Sequence, residues 1–299
     1  MDYQLKIRNC HPQEPRDAAA YEQLKVGAVF AHLLSRPDYR VEENLFFAEV
    51  AGVIVGFVNV LPELGIGRVI LEYGVSSSYK SEVVLKELFD RAMKRARELG
   101  AKVAHVSIPA TQSMQAQLLS NLGFKVVRRF YELRLDVSSV NLETVDQSDL
   151  ESRYLKVGEE ALLARIENRC FSGTWGFNPN TAEYIGWELS TRGDCTDDVI
   201  LALSEGKPIG YCWTEAECGQ DLTTGKRKGR IYMLGVGTDY RGKDLGKKLL
   251  LAGLLHLKSK GRELIDITVD SQNIVAVTLY RYLGFQLHGE TIWYEKAVH

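Results

Sequence analysis

The chain repeats itself, and that constrains its fold more than any other feature. Leu122-Gly123-Phe124 recurs as Leu283-Gly284-Phe285, an offset of 161 residues. At the same offset Val75 meets Val236, Tyr79 meets Tyr240, Gly100 meets Gly261 and Leu118 meets Leu279, without a gap. Upstream, 46–57 (FFAEVAGVIVGF) resembles 200–211 (ILALSEGKPIGY) at an offset of 154, which places a seven-residue insertion in the second copy, most simply within 218–229. An offset held this long marks a duplication, so the chain is read as two similar units.

Each copy gives the same run of elements. An amphipathic helix (about 17–35 and 148–170) precedes two strands joined by tight turns at Ala51-Gly52 and Glu205-Gly206. A third strand ends at Gly74-Val75 and Gly235-Val236. A long helix follows, 81–99 and 242–260, closed by Gly100 and Gly261. A strand, a short helix (112–121 and 272–282) and a last strand complete the copy. Alternating strands and helices predict an α/β (α+β) fold, with helices on the faces of a sheet. The polar stretch 135–149 reads as the linker, dividing the chain into 1–138 and 139–299.

Bulk properties exclude several classes. Of the 299 residues, 45% are hydrophobic and 25% charged, as in globular chains rather than disordered ones. A net charge of −2 gives nucleic acid or an anionic membrane no electrostatic hold. The basic runs 94–102 and 225–230 are too short to change that. Five scattered cysteines with no CxxC pair read as reduced cytoplasmic thiols, with no disulfide framework and no metal site. The first twenty residues lack a signal-peptide core, and no apolar run approaches the ~20 residues that span a bilayer. The expectation is a cytoplasmic monomer or homodimer.

Chemistry concentrates in two stretches of the second copy. The first is 240–250, YRGKDLGKKLL. A helix start leaves about four amide hydrogens without partners, and with the macrodipole they form an anion site. Gly242 and Gly246 let an anion approach the backbone, while Arg241, Lys243, Lys247 and Lys248 add positive charge. Asp244 opposes it, which predicts weaker binding rather than its loss. The second stretch is 267–285, a strand followed by a helix that carries Asn273, Ala276 and Tyr280 and ends at Gly284-Phe285.

Together these stretches resemble the GNAT superfamily of N-acetyltransferases. The resemblance implies two tandem GNAT-like domains, each a mixed, mostly antiparallel sheet flanked by helices. It also implies acetyl-CoA as co-substrate. Leu234, Gly235 and Val236 would pair with the pantetheine arm, with a backbone N–H near Val236 facing the thioester oxygen. Arg241, Gly242, Lys243, Asp244, Leu245, Gly246 and Lys247 would hold the diphosphate. Asn273 and Ala276 would flank the arm, and Tyr280 would protonate the leaving sulfur. For the general base, Glu215 and Glu217 alternate onto one face of strand 211–217, and either serves. The segment 170–194 is expected to cover the acceptor with Trp175, Phe177, Tyr184 and Trp187, with Glu215 and Arg230 beside it.

The first copy reads Val83, Val84 and Leu85 where the second has Asp244, Leu245 and Gly246, and Leu119 where the second has Tyr280. It is expected to be a degenerate copy. The tandem layout and 235–261 are similar to the mycothiol synthases, but the charges at Glu215 and Arg230 are the reverse of that enzyme's pattern. The expected activity is therefore acetylation of a primary amine on a small molecule or peptide terminus. Acetylation of a pseudodisaccharide and a coenzyme-binding module without turnover are the alternatives.

Overall fold

A computed structural model describes residues 4–25, 27–79, 81–139, 150–193, 196–216 and 219–299. The chain forms two compact units, one of Met1–Arg128 with Ile292–His299 and one of Arg129–Thr291. A cut after residue 138 would give each copy its own last strand. The compact units instead divide both of those strands.

In the first unit, β1 (Leu5–Asn9), β2 (Leu45–Val50), β3 (Val53–Glu63), β4 (Arg68–Val75) and β5 (Val103–Pro109) lie side by side in chain order. The end of the chain's last strand follows β5 in that order. The helix expected over 17–35 is two, α1 (Pro15–Leu24) and α2 (Phe30–Leu34), ahead of the short α3 (Val41–Asn44). The long helix α4 (Ser81–Glu98) buries Val84, Leu85, Leu88, Phe89 and Ala92 against Phe46, Val58, Val60 and Leu71. Helix α5 (Ser113–Asn121) buries Leu119, the counterpart of Tyr280.

The second unit repeats the plan. After β6 (Lys125–Asp136) come β7 (Ser152–Tyr154), α6 (Glu160–Phe171), α7 (Ala182–Arg192), β8 (Val199–Ser204), β9 (Lys207–Glu215) and β10 (Lys228–Val236). Then follow α8 (Leu245–Ser259), β11 (Leu264–Asp270), α9 (Ile274–Tyr282) and β12 (Gln286–Ala297). The strand order is β6-β11-β10-β9-β8-β7, antiparallel except for β10–β11. The helix expected over 148–170 is shorter. Its start is the edge strand β7, and 140–149 lie outside the described residues.

The tight turns stand where expected. Ala51 and Gly52 take φ of 52° and 81°, and Glu205 and Gly206 take 50° and 71°. Two consecutive left-handed residues give the twist that a two-residue hairpin needs. Leucines on α8 pack on Ile231, Ile265, Ile267 and Val269. The opposite face of β8–β10 is covered by α6 and α7, through Leu163, Ile185, Tyr211 and Trp213. No helix among the described residues is long and apolar enough to cross a membrane.

Candidate active site

The sheet opens between β10 and β11. Strands β10 and β11 pair in parallel only from Lys228↔Leu264 to Ile231↔Ile267. Beyond that β10 stays with β9 as far as Val236↔Gly210, and β11 stays with β6 as far as Asp270↔Phe130. The Gly237 amide donates to Ile209 O at 2.8 Å, on the β9 side. Alternation along the strand then turns the N–H and C=O groups of Val236 and Leu234 into the gap. Gly235 between them is required by packing, because a Cβ there would lie 2.8 Å from Cys170 Cβ and from the Tyr211 ring.

The loop before α8 shapes the far side of the gap. Gly242 (φ 75°) and Asp244 (φ 54°) are both left-handed, which holds the backbone off a helical path until Leu245. Asp244 is the N-cap, and its carbonyl takes the Lys248 amide at 3.0 Å, but its exposed side chain makes no cap bond. The amides of Leu245, Gly246 and Lys247 are therefore first-turn donors without an intrahelical acceptor. Arg241 is a brace. Its Nε donates to Val236 O at 3.1 Å and its Nη2 to Cys170 O at 2.6 Å. That engages the Val236 carbonyl and leaves the amide hydrogen as the donor this residue presents.

A cleft of about 880 Å³ joins these parts. Leu234, Gly235, Val236, Arg241, Gly242, Asp244, Leu245, Gly246, Lys247, Asn273, Ala276 and Tyr280 all line it. Lys243 does not; its Nζ lies 5.9 Å from the Tyr240 ring. A Cβ on Gly242 would meet nothing within 4 Å, and one on Gly246 would only touch Val236 Cγ2 at 3.8 Å, so the loop is open toward the cleft. A diphosphate with an apolar arm fits this donor set, the helix amides at one end and the unpaired strand edge at the other.

Tyr280 is 6% exposed, and burial pushes its phenol above the ordinary tyrosine range, which keeps it protonated. The ring is 5.9 Å from Phe285. Asn273 caps α9, its Oδ1 accepting from the Ala276 amide at 3.2 Å, which leaves its NH2 to turn toward a ligand.

Sequence reasoning missed Cys170, Phe171 and Thr174, which wall the cleft at the end of α6. Their signal is the glycine at 235, whose missing side chain makes room for Cys170 and Phe171. Burial pushes the Cys170 thiol up to about 11, so it is not a thiolate at neutral pH. Phe177 stands behind the wall, stacked on Phe171 at 5.4 Å. Trp175 lies 6.0 Å from Phe130, and Trp187 lies 5.3 Å from Tyr184. Trp175, Phe177, Tyr184 and Trp187, all four expected to cover the acceptor, stand outside the cleft lining.

Glu215 stands at the end of β9, in register with Arg230 and away from the cleft lining. Arg192 Nη1 approaches its Oε1 at 3.4 Å. Glu217 lies outside the described residues. Arg230 Nη2 donates to Thr268 Oγ1 at 3.1 Å. Among the described residues no group of His, Cys, Asp and Glu side chains is placed to hold a metal ion.

A splayed strand pair, a helix start facing the splay and a buried tyrosine thus border one cleft. Residues 161–285 match the acetyltransferase (GNAT) family. The chain belongs to that family and is an N-acetyltransferase. Mycothiol acetyltransferase of Thermobifida fusca is 40% identical over 242 residues, 76% of this chain and 74% of that one. Mycothiol acetyltransferase of Arthrobacter sp. (strain FB24) is 28% identical over 280 residues, 91% of this chain and 83% of that one. A tandem GNAT protein from the clavulanic acid biosynthesis pathway has the same fold, with a TM-score of 0.73, 13% identity and 99% of each chain covered.

Proposed function

We propose that the second unit transfers an acetyl group from acetyl-CoA to a primary amine of a small molecule by direct attack on the thioester. One observation carries the reading: the unpaired Leu234–Val236 edge, the α8 amides and the buried Tyr280 phenol border one cleft. The amides of Leu245, Gly246 and Lys247 hold the diphosphate, aided by the Lys247 charge. The Leu234–Val236 edge receives the pantetheine arm as an added strand. The Val236 amide, with its carbonyl held by Arg241, points at the thioester oxygen and stabilises the charge that develops there.

When bound, acetyl-CoA supplies an activated acyl carbon and a thiolate leaving group. The neutral amine attacks that carbon; the N–C bond forms and the C–S bond breaks. Tyr280 gives its proton to the sulfur and is reprotonated from water, and the surplus amine proton passes through water to Glu215 or Glu217. Glu215 and Glu217 are retained as proton acceptors acting through water. The relatives' name supports a mycothiol-type acceptor, and the reversed charges at Glu215 and Arg230 speak for a different small amine.

Tyr280→Phe tests the assignment. With acetyl-CoA and a panel of primary amines, kcat is expected to fall roughly 100-fold, while the Kd for acetyl-CoA stays within about twofold. An unchanged kcat would remove the proton donor.

A further inference from the structure

The sheet face opposite the one on which α8 and α9 pack carries an unusual pair of charges beside the gap between β10 and β11. Ile265, Ile267 and Val269 of β11, and Leu133 and Leu135 of β6, point into the α8 core. Alternation puts Asp266 and Thr268, with Glu132 and Arg134, on the opposite face. Thr268 is exposed and stands directly opposite Glu132. It is one residue past Ile267, where β10 leaves β11. Arg230 flanks Thr268 on one side, through its 3.1 Å bond to the hydroxyl. Glu132 flanks it on the other.

Neighbouring carboxylates on this face are neutralised. Asp266 holds Arg134 at 2.6 and 2.8 Å, and Glu215 has Arg192 at 3.4 Å. Glu132 has no cation among the described residues. Its Oε1 accepts from Thr291 Oγ1 at 2.6 Å. Gly289 makes room for it, since a Cβ there would lie 2.9 Å from Glu132 Oε2. Arg230 likewise has no carboxylate in ion-pairing reach among the described residues. Two opposite charges thus stand about one strand spacing to either side of a single threonine, without closing on each other. Trp175 sits above Phe130, two residues from Glu132 on the same face, and so borders the place.

We propose that Glu132 and Arg230 form a subsite for the non-reacting, zwitterionic end of the acceptor. An α-ammonium donates to Glu132, and the adjoining carboxylate accepts from Arg230. The reacting amine then lies at the far end of the acceptor chain. Val236, whose amide faces the thioester oxygen, is five residues past the last β10–β11 pair with Tyr232 absorbed by a bulge, so the reacting centre is about 13 Å further along the strand, and hydrogen-bond contacts of about 3 Å at each end leave roughly 7 Å for the acceptor chain. That spacing suits an ω-amino acid. The subsite rests on the acetyltransferase reading above and adds the acceptor's class to it.

The test uses L-lysine, cadaverine (no carboxylate) and 6-aminohexanoate (no α-ammonium) with acetyl-CoA and the full chain. In the parent, kcat/KM for lysine is expected to exceed that of either analogue by about tenfold or more. Arg230→Gln should erase the advantage over cadaverine alone, and Glu132→Gln the advantage over 6-aminohexanoate alone. A structural role would lower all three substrates together, and that result overturns the subsite. So does a parent that uses the analogues as well as lysine, or one that binds acetyl-CoA but acetylates none of the three. Failure to bind acetyl-CoA at all would instead sink the coenzyme reading.

Discussion

Asp244 holds a left-handed conformation that glycine takes without strain, at a cost of about 1 kcal/mol for a residue with a side chain. Its short polar side chain is among the few that tolerate the region. The carboxylate has opposite effects in the two ligand states. Without coenzyme it sits well at the positive start of α8, and with coenzyme it opposes the diphosphate. Asp244→Gly should therefore tighten acetyl-CoA about two- to fivefold at low ionic strength, with the gain shrinking as salt rises. Titration calorimetry across salt concentrations reads this directly. An affinity indifferent to the change would place the carboxylate outside the anion's field.

At the scale of elements, the two copies differ in where the long helix begins. Helix α4 starts at Ser81, which the repeat aligns with Gly242, whereas α8 starts three residues later in register, at Leu245. In the second copy Gly242 and Asp244 hold the backbone off-helix and so make the cradle. The first copy runs helix through the same positions. Val84 and Leu85 are buried in the first core, and of the three replacements only Val83 is exposed. The same logic makes Gly246→Val informative. A Cβ there meets only Val236 Cγ2 at 3.8 Å, so the protein should fold, with a melting temperature within about 2 °C of the parent. The added methyls would occupy the cleft floor, and acetyl-CoA affinity should fall at least about 100-fold. Retained affinity would move the diphosphate off the α8 start.

For the whole molecule, what the sequence showed was what is local or periodic. The duplication, the hairpins at Gly52 and Gly206, the long helices and the glycine-bearing loop each rest on neighbours in sequence. What it hid depends on partners far apart along the chain. Glu132 meets Thr291 and Thr268, and Cys170 fills the space left by Gly235. Glu167 is the strongest such case. It sits on α6 and is 1% exposed. It accepts from the Tyr211 phenol at 3.0 Å and from Asn180 Nδ2 at 3.1 Å. Burial, with Glu188 nearby, pushes its carboxyl up to about 7, against the bonds from Asn180 and Tyr211. A carboxyl raised in the folded state favours the protonated form there. Its stabilising contribution is whole below the ordinary value near 4.5 and is lost as pH rises to about 7, a change of about 3 kcal/mol. Glu167→Gln keeps a carbonyl for Tyr211 and removes the ionisation. Thermal melts followed by the fluorescence of buried Trp213, in the same core, should show the parent losing stability relative to the variant between pH 5 and pH 8. The difference between the two proteins cancels every other titrating group, including His105, which burial shifts the other way from Glu167. Parallel curves for parent and variant across that range would mean that Glu167 ionises as readily in the folded protein as in the unfolded chain.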